Sequence, residues 1–91
     1  MKDLTRQELE VFDLDYGVII QSIEANSSAA REGLRRGDVI YEVDGKNMKS
    51  VSDFENYVED RDPGSILKIQ TRTKYSDGTI SDRLVFIKIP K

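Results

Sequence analysis

The sequence predicts a single α+β domain of about five strands and two to three helices. Three observations carry that expectation. Ninety-one residues suffice for one domain and not for two. Apolar residues alternate with period two through Leu67, Ile69 and Thr71 and again through Val85, Ile87 and Ile89, but take helical spacing through Val51, Phe54, Tyr57 and Val58. Between these regimes, the run from Ser28 to Ile40 reads as one helical turn, a glycine stop, a tight loop and a buried strand.

The elements follow in order. Thr5 and Glu8 have the spacing of a capping box, which starts a short helix over about 5–12. Residues 13–17 form a loop. Val18–Ile23 is β-branched and bounded by turn formers, hence a strand. Ser27 or Ser28 caps the short helix, since a serine oxygen accepts from an orphan N–H. Gly33 stands where a helix ends in a left-handed residue, with Leu34 folding back as an apolar plug. Asp38 bonds loop amides before the strand Val39–Val43. Strict alternation there puts Ile40 and Glu42 on one face and Val39, Tyr41 and Val43 on the other. Asp44 and Gly45 make a tight turn into the extended piece 46–48. Ser50 or Ser52 caps the main helix, about 52–60, with Asp53 in its first turn. Asp62, Pro63 and Gly64 turn the chain into strand 66–72. A turn at 76–78 pairs it with a closing strand, 84–89, which Pro90 ends.

Composition removes several function classes. Hydrophobic content of 37% against 34% charged describes a solvated globular surface, and no apolar run approaches the ~20 residues of a membrane span. Residues 1–5 carry no apolar signal-peptide core. A net charge of −3, with Arg35 and Arg36 the only adjacent basic pair, opposes nucleic-acid binding. No cysteine is present for disulfide or thiolate chemistry, and no histidine for general base or metal ligation. A serine–lysine dyad with Lys46 or Lys49 is the remaining nucleophilic option, but lysines in polar turns are solvated. Asp38 and Asp44 serve local turns, and Asp13, Asp15 and Asp77 lack the ligand density of a calcium loop.

The run Gly33, Leu34, two residues, then Gly37, Asp38, Val39, Ile40 resembles the helix-to-strand joint of PDZ domains. Val18–Ile23 and the turn Asp44, Gly45, Lys46 fall where that family has a strand and a turn. The resemblance implies a PDZ-like partly open β-barrel or sandwich. The closing strand fits the circularly permuted bacterial topology. Asp3 to Leu9 is similar to a segment of HtrA/Deg-type serine protease PDZ domains, with Arg6 in place of a usual proline. Asn26, Ser27, Ser28 and Ala29 depart from the family's Gly-Ser-Pro-Ala, and Glu32 from a usual alanine.

The resemblance implies a peptide-binding module that needs no cofactor or metal and has no catalytic residue of its own. A PDZ groove adds an extended peptide to a sheet edge, opposite a helix wall. Ile19 and Ile20 are expected from the strand, and Val51, Phe54, Glu55 and Val58 from the helix. Tyr16, Gly17 and Val18 rank behind them: with Ile19 they match the carboxylate-loop pattern but stand at a strand entry. The expected ligands are apolar peptide C-termini or unfolded segments. Two settings follow: the regulatory or substrate-recognition domain of an envelope serine protease, periplasmic or otherwise extracytoplasmic in a bacterium, or a non-proteolytic scaffold module of a secretion or signalling system. The family places its carboxylate loop and peptide-pairing strand before the segment at Asp3. On that expectation Val18–Ile23 has one unpaired side, peptide binding is weak or absent, and the open edge invites self-association.

Overall fold

In a computed structural model, residues 1–89 are described, together with every side chain among them except that of Ser28; Pro90, the expected strand terminator, lies outside that range. The elements are β1 (Lys2–Asp3), α1 (Arg6–Phe12), β2 (Val18–Ile19), α2 (Ser28–Arg31), β3 (Val39–Val43), β4 (Lys46–Asn47), α3 (Val51–Glu59), β5 (Ile66–Lys74) and β6 (Ile80–Lys88). All strands belong to one antiparallel sheet in the order β1-β2-β3-β5-β6, with β4 paired to β3. This is the expected α+β architecture, with six strands, two of the three short ones lying at the margins of the central path.

Local chemistry sets the helix ends. The Thr5 hydroxyl accepts from the Glu8 N–H at 3.1 Å, and the Glu8 carboxylate accepts from the Thr5 N–H at 2.9 Å, closing the capping box. Lys2 pairs with Glu8 as well and, with the Thr5 amide, holds the Glu8 carboxyl below its ordinary pKa. Ser27 accepts from the Ala30 N–H at 3.2 Å and caps α2. Gly33 follows at φ 104°, and Leu34 folds back to donate to the Ala29 carbonyl at 3.0 Å while its side chain is buried. Ser50 caps α3 by accepting from Asp53 at 3.1 Å.

The core is Ile20, Leu34, Ile40, Val43, Met48, Leu67, Ile69 and Val85. Two expectations about the strands are corrected. Strict alternation separates Ile40 from Val43, yet both are buried in this cluster. The pairing of β3 with β5 shifts between Ile40 opposite Thr71 and Glu42 opposite Gln70, so Tyr41 is an extra, bulged residue. A bulge resets the period and returns Val43 to the face of Ile40. The second correction concerns β2, which is shorter than Val18–Ile23. Its outer side is not open at its start: Lys2 pairs with Ile19 and Asp3 with Val18. Gly17 admits the chain to this strand by close approach, since a Cβ there would lie 2.8 Å from Val39 Cγ1.

The buried polar centre of the fold is Asp38. Its carboxylate accepts from the Arg35 N–H at 3.1 Å, from the Thr73 hydroxyl at 2.9 Å and from the Arg83 guanidinium at 2.8 Å. The same Arg83 nitrogen donates to the Gly33 carbonyl at 3.0 Å. The glycine stop, the loop and the closing hairpin are thus tied together at one carboxylate. On the other side of the hairpin, Arg72 donates to both Phe12 and Asp13 carbonyls, at 2.8 and 2.9 Å, and clamps the end of α1. Arg72 also pairs with Asp82, holding that carboxyl below the usual aspartate range.

Candidate functional site

An apolar groove of about 380 Å³ lies between α3 and the chain past β2. Phe54 and Val58 of α3 form one wall. Ile20, Ser22 and Ile23, where the chain continues past β2, form the other, with Met1 beside them. Ile87 and Ile89 at the end of the chain close one side, and Leu34, Ile40, Leu67 and Ile69 supply the floor. The volume is that of a small-ligand or peptide-side-chain pocket.

The backbone of the strand-side wall is available for pairing. Ile20 donates to the Asp38 carbonyl at 2.9 Å, and its own carbonyl accepts from Gly37 at 2.8 Å. Ile20 therefore turns its polar backbone groups toward the joint. Past Ile20 the chain leaves β2, and among the described residues the backbone groups of Gln21 and Ile23 have no backbone partner.

The helix wall is fixed by polar clips at both ends. At the start of α3, Asp3 accepts from the Val51 N–H at 2.7 Å, a carboxylate at the positive end of the helix. Near its end, the Tyr57 hydroxyl donates to Asp44 at 2.6 Å, and the Arg61 guanidinium lies 4.4 Å from the Tyr57 ring centre. Asp44 also accepts from the Lys68 N–H at 2.8 Å. Burial opposes the charge on Asp44, but Tyr57, the Lys68 amide and Arg61 outweigh it and hold its carboxyl below the ordinary value. The Asp44 bond in turn pushes the Tyr57 hydroxyl up.

Of the residues expected at a site, the groove brings together Ile20, Phe54 and Val58. Ile19 stands on the opposite face of its strand from Ile20 and does not line the groove. Val51 lies at the helix start beside Asp3, and Glu55 is exposed one step around the helix from Phe54; neither lines it. Tyr16, Gly17 and Val18 lie elsewhere, with Val18 fully buried, so the hydrophobic-Gly-hydrophobic letters mark a strand entry. Reasoning from sequence missed Ile23, Ile87, Ile89 and Met1. The alternation of Ile87 and Ile89 was the available signal, since it puts both on the inner face where the groove opens.

No described helix is long and apolar enough to cross a membrane. A profile of the PDZ domain family matches residues 4–81. Over 49 residues, 54% of the chain, it is 41% identical to a probable DegP-like periplasmic serine endoprotease of Marinomonas sp. strain MWYL1. Over 56 residues, 62% of the chain, it is 34% identical to the periplasmic serine endoprotease DegP of Salmonella typhimurium. Over 70 residues, 77% of the chain, it is 31% identical to mouse serine protease HTRA4. The aligned parts are 10%, 12% and 14% of those proteins, so the chain spans only a small part of their length. Among solved structures, the HtrA3 PDZ domain bound to a phage-derived ligand, FGRWV, superposes with a TM-score of 0.68 at 25% identity, covering 82% of this chain and 61% of that one. The PDZ domain of the SdrC-like protein of Listeria monocytogenes superposes at 0.67 and 29% identity, covering 84% of this chain and 73% of that one. With the profile spanning most of its length and the sheet, joint and helix wall in place, the chain belongs to the PDZ domain family.

Proposed function

We propose that the groove between α3 and the Ile20–Ile23 segment binds extended apolar peptides, and that the chain is the substrate-recognition or regulatory module of an HtrA/Deg-like, extracytoplasmic serine protease. The observation that carries the peptide reading is the pairing of an apolar trough with an unmet backbone edge at Gln21. A peptide added along that edge gains main-chain bonds from one wall and places alternate side chains against Phe54 and Val58 on the other. Similarity to the DegP-type proteases supports the protease setting. The search for a trypsin-like domain in the same full-length protein separates that setting from a non-proteolytic scaffold.

The test is a titration of FGRWV, the ligand in the HtrA3 structure, followed by amide chemical shifts up to millimolar peptide. Shifts concentrated at Gln21–Ile23, Phe54 and Val58 are expected. Val58→Lys, at a partly exposed position, places a charge in the trough and should weaken binding by about tenfold or more, a ~1.4 kcal/mol loss. Shifts absent from the groove, or unaffected by Val58→Lys, would overturn the reading.

A further inference from the structure

The closing strand has a second side that the groove does not use. The Ile89 N–H donates to the Ser65 carbonyl at 2.8 Å, and the Tyr75 N–H to the Thr79 carbonyl at 2.9 Å. With Ile66 opposite Lys88 and Lys74 opposite Ile80, these bonds fix the phase of the hairpin. Odd-numbered residues of β6 turn their N–H and C=O groups toward β5. Ile80, Asp82, Leu84, Phe86 and Lys88 turn theirs away, because hydrogen-bonding direction alternates along an antiparallel strand. Among the described residues no strand pairs with β6 on that side. The nine-residue pairing with β5 runs without a register shift, so no bulge twists the edge out of reach. The side chains on the same five residues face outward, and three of them are large, apolar and exposed: Ile80 at 39%, Leu84 at 42% and Phe86 at 52%. Ile66, opposite Lys88 on β5, is 62% exposed and extends the patch.

We infer that β6 is a self-complementary edge that pairs antiparallel with β6 of a second copy, on a two-fold axis through Val85. The register follows from the residues. Groups that point outward belong to even positions, so even residues must face even residues. With the axis at Val85, Asp82 of one protomer faces Lys88 of its partner and Leu84 faces Phe86, and symmetry makes each pair occur twice. Four facing pairs give about eight main-chain hydrogen bonds, two for each pair. Moving the axis to Leu84 sets Asp82 against Phe86 and Lys88 against Ile80. Moving it to Phe86 sets Leu84 against Lys88, and moving it to Arg83 sets Asp82 against Leu84. Only the Val85 axis matches charge with opposite charge and apolar with apolar, the pairings that stabilise facing strands. The contact is isologous and closes on itself, so it yields a dimer and no fibre. The occupant is therefore a second copy, at a different edge from the β2 side that the sequence pointed to.

Sedimentation velocity of the chain from micromolar to millimolar concentration tests the association, and two cysteine variants test the register. A concentration-dependent monomer–dimer equilibrium is expected. Lys88→Glu sets like charges opposite each other twice and should weaken the dimer by roughly tenfold. Leu84→Cys and Phe86→Cys, both at exposed positions, should cross-link under an added oxidant when mixed, since facing residues lie within disulfide reach. Either variant alone should stay uncross-linked, its two cysteines being diagonal and beyond about 7 Å between Cα atoms. A chain that remains monomeric at millimolar concentration overturns the proposal. So does a dimer that Lys88→Glu leaves unchanged, or cross-linking of Leu84→Cys by itself.

Discussion

Replacing Asp38 by alanine should cost about 3 kcal/mol. The carboxylate is 2% exposed and accepts three hydrogen bonds, one of them from Arg83 at 2.8 Å. A bond to a charged group contributes about 1.5–3 kcal/mol and a neutral donor about 1 kcal/mol, which gives roughly 3–5 kcal/mol for the set. The Arg83 side chain is 30% exposed, so its freed head is partly hydrated in the variant and the lower end applies. For a domain of this size that is a large share of a total of about 5–15 kcal/mol, and a fall in Tm of about 12–24 °C. Arg83→Met should cost at least as much, because it strands a buried carboxylate on two remaining donors. The double variant should cost less than the sum of the two by about 1–3 kcal/mol, the coupling of a contacting pair. Urea unfolding with a common slope reads all three values. A loss under about 1 kcal/mol for Asp38→Ala, or strict additivity in the double variant, would refute the view that this carboxylate joins the loop to the hairpin.

Three further outcomes are expected. Gly33→Val should destabilise by roughly 1–3 kcal/mol, since φ 104° is strained for a β-branched residue, and equal denaturant midpoints would contradict it. Tyr57→Phe removes the bond to Asp44 at the end of α3 and should speed amide hydrogen exchange in that helix while lowering global stability by about 1 kcal/mol or less; unchanged exchange in α3 would count against the clip. Acid should destabilise the fold only below about pH 4–5. Arg72 beside Asp82, Lys2 beside Glu8, and Tyr57 with the Lys68 amide at Asp44 depress those folded-state pKa values. Depressed carboxyls add stability above their unfolded pKa and lose it as pH falls through the folded one. With no histidine to titrate, Tm should be flat from pH 7 to about pH 5 and fall beyond it. A Tm that rises on acidification would contradict the assignment.

The parts of the fold legible in the sequence are those written over a few adjacent residues. The Thr5–Glu8 box, the Ser50 cap, the Gly33 stop and the Leu34 plug each act within one turn, so residue type alone announces them. What was not legible depends on partners far along the chain. The Tyr41 bulge exists only in register with β5. Asp38 reads as a turn former until Arg83, 45 residues on, is brought beside it. The groove was legible in part for the same reason. Helical spacing puts Phe54 and Val58 on one face, but nothing local distinguishes a core residue from one lining an opening. Ile87 and Ile89 look like plain core until the sheet leaves their face uncovered.

The groove's two walls differ in how they are held. The strand wall rests on the joint: Ile20 is buried and bonded on both backbone groups to the Gly37–Asp38 turn. No residue of α3 is fully buried. The helix is held by the half-buried packing of Phe54, Tyr57 and Val58 on the core and by polar ties, Asp3 at one end and Tyr57 with Asp44 at the other. An element with no fully buried residue and exposed polar ties opens more readily than the sheet it packs on. On the proposed reading, the helix is the wall expected to adjust to different side chains, and the Ile20 side the one that stays in place. β6 stands at the junction of both surfaces. Its inner residue Ile87 lines the groove, while its outer edge carries the self-complementary register. Pairing two copies through that edge would stiffen the strand beneath each groove without using any residue of the helix wall.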